Sequence, residues 1–497
     1  MTATITPAPE ITGAAHRPPP RSVPAAVWAM GFGAAVGAVL SLLTYRALCD
    51  DAFITLDYAR NIAEHGHWGL LADRTTNTQT SPLNALLLSG GIVLTGGPVV
   101  AVGLLLIATF GVAGWWAEGL RREVELPRAL PYVLLGLLAF SPLLISTVGL
   151  ETYLGCAVLI GVARYGIAGR AVAVGVLCGM AILVRPDMAV PAGVLAFVLL
   201  AARSATGARK LAAATGAAIA VALPWHVFSW FALGGFVPDT TWMKTRFPDA
   251  PTMLNAPVGF YDVYYPVIAP LAALPVAAAV AFAVSAGRRW REPHARVALA
   301  SFGAGWAHYA AMVAIGAFPQ AWYFAPLVAC SILTSAIMLL RLKPTAGVVT
   351  AVILGLACVF TVESSFPWTA LPMAVNLGRS EQYQQIGSEL DSLTGGQPVA
   401  APGEVGALAF AATVPVVDQF GDRAVGRALL DPRYDRASPI GKRVMRLNWR
   451  YRPDPSPPVL RWRLTFASEP APPGRVMKSW PIDMPARGPD RVLLSED

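Results

Sequence analysis

Two adjacent carboxylates, Asp50 and Asp51, stand in Cys49-Asp50-Asp51-Ala52-Phe53-Ile54, where the first long apolar segment of the chain ends. Ionised side chains at a membrane edge are costly to keep, so they mark functional positions. Glu151, Arg185 with Asp187, and Lys244 with Arg246 likewise fall at the ends of apolar runs or in the loops between them. A carboxylate that takes a hydroxyl proton, set beside cations that stabilise a departing phosphate, is chemistry this set supports. A donor with a lipid tail and a phosphate head suits that location. Trp322-Tyr323 offers either a stacking surface for a sugar or an aromatic belt at the membrane interface.

The elements that must position these groups are membrane helices. With 55% hydrophobic residues, 14% charged residues and a mean hydropathy of +0.53, 497 residues leave too little polar surface for an ordinary soluble enzyme. The net charge of +8 does not point to nucleic acid, because Arg and Lys cluster in short loops, as cytosolic anchors of membrane helices do. Cys156, Cys178, Cys330 and Cys358 lie inside apolar runs and Cys49 at the end of one, which reads as free packing thiols rather than disulfides or a metal site.

Residues 1–23, rich in Pro and Arg, read as a disordered cytosolic tail. Residues 24–362 read as a transmembrane domain. Its first span, 24–45, is long enough for the ~30 Å hydrocarbon layer. Arg17 and Arg21 place the amino terminus in the cytosol and Asp50 and Asp51 outside. The basic loops at Arg121-Arg122, Arg164 to Arg170, Arg203 to Lys210, Arg288 to Arg296 and Arg341 to Lys343 mark alternate loops as cytosolic. They agree with the count of apolar runs only if one early run does not cross. Residues 82–96 are short, start at Ser81-Pro82 and contain Gly90-Gly91, the profile of a re-entrant or tilted half-helix. About eleven crossings follow, with outer loops 46–81 and 234–262. After residue 362 the chain turns rich in Pro, Arg and Asp, so 363–497 are predicted to form an extracytoplasmic mixed α/β soluble domain. The fold class is therefore an α-helical polytopic membrane protein with a soluble domain at its carboxyl end.

The string Asp50-Asp51-Ala52-Phe53-Ile54-Thr55-Leu56-Asp57-Tyr58-Ala59-Arg60-Asn61-Ile62-Ala63, with Gly66, Gly69 and Thr80-Ser81-Pro82-Leu83, resembles actinobacterial membrane glycosyltransferases of the C-type (GT-C) superfamily, close to the terminal arabinofuranosyltransferases of the mycobacterial cell wall. The resemblance extends through Gly149-Leu150-Glu151-Thr152, Arg185-Pro186-Asp187, Pro238-Asp239-Thr240-Thr241-Trp242-Met243-Lys244 and Val399-Ala400-Ala401-Pro402-Gly403-Glu404-Val405-Gly406-Ala407; Asp57 and Asp239 depart from the family pattern. It implies inverting transfer of a sugar, arabinofuranose by preference, from a polyprenyl-phosphate donor to a cell-envelope glycan or glycolipid outside the plasma membrane. Carried onto this sequence, it makes Asp50 the catalytic base. Asp51 orients the acceptor or helps hold a divalent cation such as Mg2+ or Mn2+. Lys244, with Arg60 or Arg185, neutralises the phosphate, with Glu151, Asp187, Trp322 and Tyr323 in support. The loop 234–262 would close over the donor.

Other readings stand beside these. The sugar could be mannose from polyprenyl-phosphate-mannose. A lipid-linked sugar transporter or flippase should show two comparable halves, and the sequence has no internal repeat. A catalytically dead accessory subunit should tolerate Asp50→Asn. Asp50-Asp51 also fit the cap of the helix that follows, and Glu151 the cap of one starting at Thr152. Arg185 with Asp187 fit a structural ion pair, and Lys244 a snorkelling residue. His65 and His67, separated by Gly66, read as a surface turn rather than a metal site.

Overall fold

The computed structural model describes residues 24–201, 206–245, 252–257, 265–360, 366–373, 378–453, 456–470, 474–484 and 487–496. The predicted tail 1–23, Arg246 and parts of the loop 234–262 lie outside them. Helices run in the order α1 (Ala25–Thr44), α2 (Asp50–His65), α3 (Pro82–Thr95), α4 (Pro98–Glu123), α5 (Leu130–Ala139), α6 (Pro142–Ile145), α7 (Thr152–Ile167) and α8 (Ala171–Val184). They continue with α9 (Ala189–Ala201), α10 (Gly207–Ala232), α11 (Thr240–Met243), α12 (Ile268–Arg288), α13 (Pro293–Ala314), α14 (Ala321–Leu342) and α15 (Pro344–Phe360).

Glycines set the first contact of the bundle. A Cβ at Gly33 would come within 2.1 Å of the Phe110 carbonyl oxygen, at Gly37 within 2.6 Å of the Leu106 carbonyl oxygen, and at Gly114 within 2.2 Å of the Ala29 carbonyl oxygen. Small residues thus let the α1 and α4 backbones touch, as membrane helix pairs do in the absence of a hydrophobic drive between them. The same pairs fix direction. Residue 29 lies against 114 and residue 37 against 106, so the two helices are antiparallel and Pro98 lies at the end of α1 that leads into α2. The chain also enters α3 at that end, since Gln79 donates to the Thr55 hydroxyl of α2 at 2.9 Å. Both ends of α3 therefore lie on one side of the bundle, and its 14 residues, about 21 Å long, do not traverse it.

Six helices, α1, α4, α10, α12, α13 and α14, are long and apolar enough to cross a membrane. Shorter apolar helices, α5, α7, α8, α9 and α15 among them, fill the bundle between these. The apolar stretch 130–148 is broken: α5 ends at Ala139, because Pro142 has no N–H to give the carbonyl of residue 138 and its ring crowds the preceding turn. Cys49, Cys156, Cys178 and Cys330 are free thiols, three of them buried.

Beyond the bundle the chain folds into α16 (Ser380–Thr394), β1 (Val399–Ala400), α17 (Gly406–Ala411), β2 (Val416–Val417), α18 (Arg423–Arg436), α19 (Pro439–Asn448), β3 (Trp462–Phe466), β4 (Arg475–Met484) and β5 (Gly488–Glu496). The strands form one mixed sheet in the order β2-β1-β3-β5-β4. β1 runs parallel to both neighbours, with Val399 opposite Val416 and Trp462, while β5 is antiparallel to β3 and β4. In β3, Trp462, Leu464 and Phe466 point inward and alternate with more exposed residues, the period-2 pattern of a sheet with one buried face. This domain docks on the α2 end of the bundle: α17 lies on α2, and Trp368 donates its backbone N–H to the Leu43 carbonyl at 2.8 Å.

Candidate active site

Asp50 and Asp51 occupy the first turn of α2, where the helix dipole favours negative charge. Successive residues of a helix point about 100° apart, so the two carboxylates face different surroundings. Asp50 turns into the protein and is 3% exposed. Its Oδ2 accepts the N–H groups of Val405 at 3.1 Å and Gly406 at 2.9 Å, and its Oδ1 that of Ala407 at 2.6 Å. It thus caps α17 of the soluble domain rather than its own helix. The contact needs a glycine, since a Cβ at Gly406 would lie 2.0 Å from the Asp50 carbonyl oxygen. Burial and the nearby Glu404 raise the Asp50 pKa, the N–H groups of Ala407 and Gly406 restrain it, and the result is a carboxyl pushed up to about 8.

Asp51 faces a narrow cleft lined also by Thr55, Thr78, Gln79, Glu151, Thr240, Lys244, Trp322, Tyr323 and Phe420. Its Oδ1 is 3.6 Å from Lys244 Nζ. Lys244 follows α11, and its backbone is pinned: its N–H donates to Thr240 and its carbonyl accepts from Phe318 at 3.0 Å. Its ammonium lies 5.3 Å from the Trp322 ring and 5.1 Å from the Phe420 ring, a cation–π arrangement. Burial disfavours its charge, but Asp51, Tyr323 and Glu151 outweigh that and raise its pKa, so the ammonium stays charged.

Below the cleft floor, Arg185 grips Asp187 with both arms, Nε to Oδ1 at 2.5 Å and Nη2 to Oδ2 at 2.7 Å. It also donates to Glu151 Oε1 and to the Trp322 carbonyl, each at 3.1 Å, and lies over the Tyr323 ring. His308 Nε2 is 2.6 Å from Asp187 Oδ2. Burial opposes ionisation of Arg185 and of Asp187, yet their mutual attraction wins: the guanidinium pKa is raised and the carboxyl, helped by His308, held well below the usual aspartate range. Arg185 is 4% exposed and reaches the cleft through Glu151, Trp322 and Tyr323.

The architecture that holds this cleft is similar to that of ArnT from Cupriavidus metallidurans. The undecaprenyl-phosphate-bound crystal structure matches with a TM-score of 0.58 at 16% identity, over 94% of this chain and 98% of that one. The apo structure matches with a TM-score of 0.57 at 16% identity, over 94% and 97%. The chain has a GT-C fold. No protein-family model matches the sequence, and no curated protein matches it either.

Within this GT-C frame the remaining predicted groups fall as follows. Arg60 is not in the cleft: it donates to Asp57 Oδ1 at 2.7 Å and to the Phe410 carbonyl at 2.9 Å, and stacks on the Phe410 ring. Residues 57 and 60 share the face of α2 that packs on α17, so helical periodicity turns Arg60 away from Lys244. His65 is the exposed last residue of α2 and Gly66, at φ 63°, ends the helix as its left-handed cap. Among the described residues no three His, Cys, Asp or Glu side chains converge as metal ligands. Beside Asp51 the nearest cation is the Lys244 ammonium, and Glu151 is drawn to Arg185.

Three sets of groups escaped the sequence reading. His308 was hidden inside an apolar helix, outside the family-like segments. Thr55 and Gln79, hydrogen-bonded across the cleft wall, lie within or beside the family-like segment that starts at Asp50 but carry no charge to single them out. Phe420 comes from the soluble domain, where Asp418 accepts the N–H groups of Phe420 at 2.8 Å and Gly421 at 2.7 Å. Burial raises Asp418, those N–H groups restrain it, and its carboxyl stands at about 6. The Asp418-Gln419-Phe420-Gly421 string is an Asx-turn signature that could have located this loop.

Proposed function

We propose that the protein is a polyprenyl-phosphate-sugar-dependent glycosyltransferase whose base is Asp51 and whose phosphate-binding cation is Lys244. The observation that carries the reading is the Asp51–Lys244 pair, 3.6 Å apart in a cleft at one end of a membrane bundle with the GT-C fold. The similar ArnT structure binds undecaprenyl phosphate, a polyprenyl phosphate of the kind proposed here as donor carrier. Asp51 accepts the proton of the attacking hydroxyl as the bond from that oxygen to the anomeric carbon forms. The bond from the anomeric carbon to the phosphate oxygen breaks on the opposite face, its electron pair leaves with the lipid phosphate, and the configuration inverts. Lys244, fixed between two rings, meets the charge that develops on the phosphate. Arg185 acts as a positioning residue through Glu151 and the Trp322 carbonyl. Trp322, 6% exposed and edging the cleft, is the surface against which a sugar ring packs.

In this reading the sugar is arabinofuranose and the acceptor a cell-envelope glycan or glycolipid, with the cleft on the outer face and the amino terminus in the cytosol. Purified protein in lipid nanodiscs, given radiolabelled polyprenyl-phosphate-arabinofuranose or polyprenyl-phosphate-mannose with a panel of acceptor glycans, tests it. Transfer from the arabinose donor alone is the expected result. Transfer from mannose alone overturns the sugar assignment, and movement of intact donor between leaflets without transfer overturns the enzyme reading.

A further inference from the structure

Among the described residues, α19 has a face that no protein element covers. Ile440, Val444 and Leu447 recur at i, i+4 and i+7 and are 78%, 49% and 56% exposed, and Tyr451, one turn on, continues the stripe. Arg443, Arg446 and Arg450 form the adjoining stripe, all exposed, while Met445 and Asn448 on the remaining face are buried. A helix with one apolar and one cationic exposed stripe is built to lie in a lipid headgroup layer.

Its surroundings identify which surface it meets. α10, a candidate span, ends at Ala232, and its last turn carries Trp230 and Phe231. Trp230 Nε1 donates to the Leu447 carbonyl at 2.9 Å, and the Tyr451 ring packs 5.4 Å from Trp230 and 4.8 Å from Phe231. The apolar stripe of α19 is therefore continuous with the aromatic end of a membrane helix, where Trp and Tyr mark the headgroup level.

We propose that α19 is an interfacial anchor that rests on the membrane leaflet at the cleft end, its apolar stripe among the upper acyl chains and its arginines against anionic headgroups. The anchor reaches the cleft through the segment that leads to Lys244. Asn448 Oδ1 accepts the Val237 N–H at 2.9 Å, Trp449 Nε1 donates to Asp239 Oδ1 at 2.8 Å, and Arg433 of α18 donates to the Trp242 carbonyl. A leaflet that holds α19 thus holds the loop that carries the phosphate-binding cation. Placement of the helix rests on geometry alone; only its effect on transfer rests on the glycosyltransferase reading.

The test uses the full chain in nanodiscs of phosphatidylcholine with phosphatidylglycerol, spin-labelled singly at Val444→Cys, Leu447→Cys or Arg443→Cys. Labels at 444 and 447 should collide several-fold more with oxygen, and several-fold less with an aqueous nickel chelate, than the label at 443. Arg443→Glu with Arg446→Glu should lift the 444 label toward water, and pure phosphatidylcholine should do the same. Equal chelate access at all three positions overturns the anchor. So does spin–spin broadening at 444 that grows with protein per disc, which would assign the stripe to a second copy of the chain. If depth follows the expected pattern while no donor is turned over, the anchor stands and the enzyme reading fails.

Discussion

Neutralising each of the two adjacent aspartates in turn separates chemistry from architecture. In Asp51→Asn the cleft keeps its shape but has no base. Loss of a positioned general base lowers rate by about 10²–10⁴-fold, equivalent to about 3–5 kcal/mol of barrier. Stability should move little, because the 3.6 Å pair is partly open to the cleft and Lys244 keeps its contacts with the Trp322 and Phe420 rings, so losing the pair costs about 1 kcal/mol. Asp50→Asn does the opposite. Three N–H donors converge on the two oxygens of Asp50, and an amide offers only one oxygen to them. At least one buried N–H then loses its acceptor, at a cost of about 1–3 kcal/mol. The sign of the pH dependence follows from the raised Asp50 value: its contribution is complete below the unfolded aspartate value of about 3.9 and is lost as pH rises through about 8. Asparagine cannot ionise, so that alkaline loss should flatten in Asp50→Asn. Initial transfer rates normalised to folded protein, with thermal melting between pH 5 and 9, read both effects. A catalytically dead Asp50→Asn with unchanged melting, beside an active Asp51→Asn, refutes the assignment and returns the base to Asp50.

Lys244→Met removes the charge that faces the phosphate; at about 1.5–3 kcal/mol for a hydrogen bond to a charged group, kcat/KM for the donor should fall about 10–150-fold, with partial recovery in Lys244→Arg. Arg185→Met strands Glu151 and Asp187 beneath the cleft and should cost about 3–5 kcal/mol of stability, read by thermal melting. Because Arg185 and His308 hold Asp187 below its ordinary value against burial, that stabilisation is present above about pH 4 and lost as pH falls, so the variant should show a smaller acid-side decline than the parent. Gly406→Ala forces a methyl against the Asp50 carbonyl and should lower thermal stability by about 1–3 kcal/mol while leaving KM for the donor unchanged in the folded fraction.

The bundle and the soluble domain were legible because they are written in composition: long apolar runs, basic loops, and an abrupt change after residue 362. The convergence of loops was legible too, since alternating basic loops assign the segments at Asp51, Glu151, Arg185, Lys244 and Trp322 to one end. Which side chain of a pair faces the cleft was not. Asp50 and Asp51 are chemically identical, and only the arrival of α17 some 355 residues later decides that the first caps a helix and the second stays in the cleft. Arg60 misled for the same reason, because its partner Phe410 lies in another domain. The glycines of the family-like segments, by contrast, acquire a physical meaning. Gly149, at φ 94°, would bring a Cβ to 2.7 Å from the Ala52 methyl, and Gly406 meets the Asp50 backbone; each permits a close approach to α2.

The two aspartates together give a structural reason for the membrane bundle to carry this soluble domain. Asp50 fastens α17 to the start of α2, Phe420 completes the cage around Lys244, and Arg433 and Trp449 hold the segment from Asp239 to Trp242. The cleft is therefore assembled from both domains. The turn that carries Asp51 is tied to the soluble domain through Asp50, and the loop that carries Lys244 is tied there as well. Electrostatic preorganisation of this kind demands that base and cation be fixed before substrate arrives, since reorganisation during the reaction would forfeit the gain. The two backbones are tethered separately, that of Asp51 through Asp50 and the soluble domain, that of Lys244 through the soluble domain and Phe318 together.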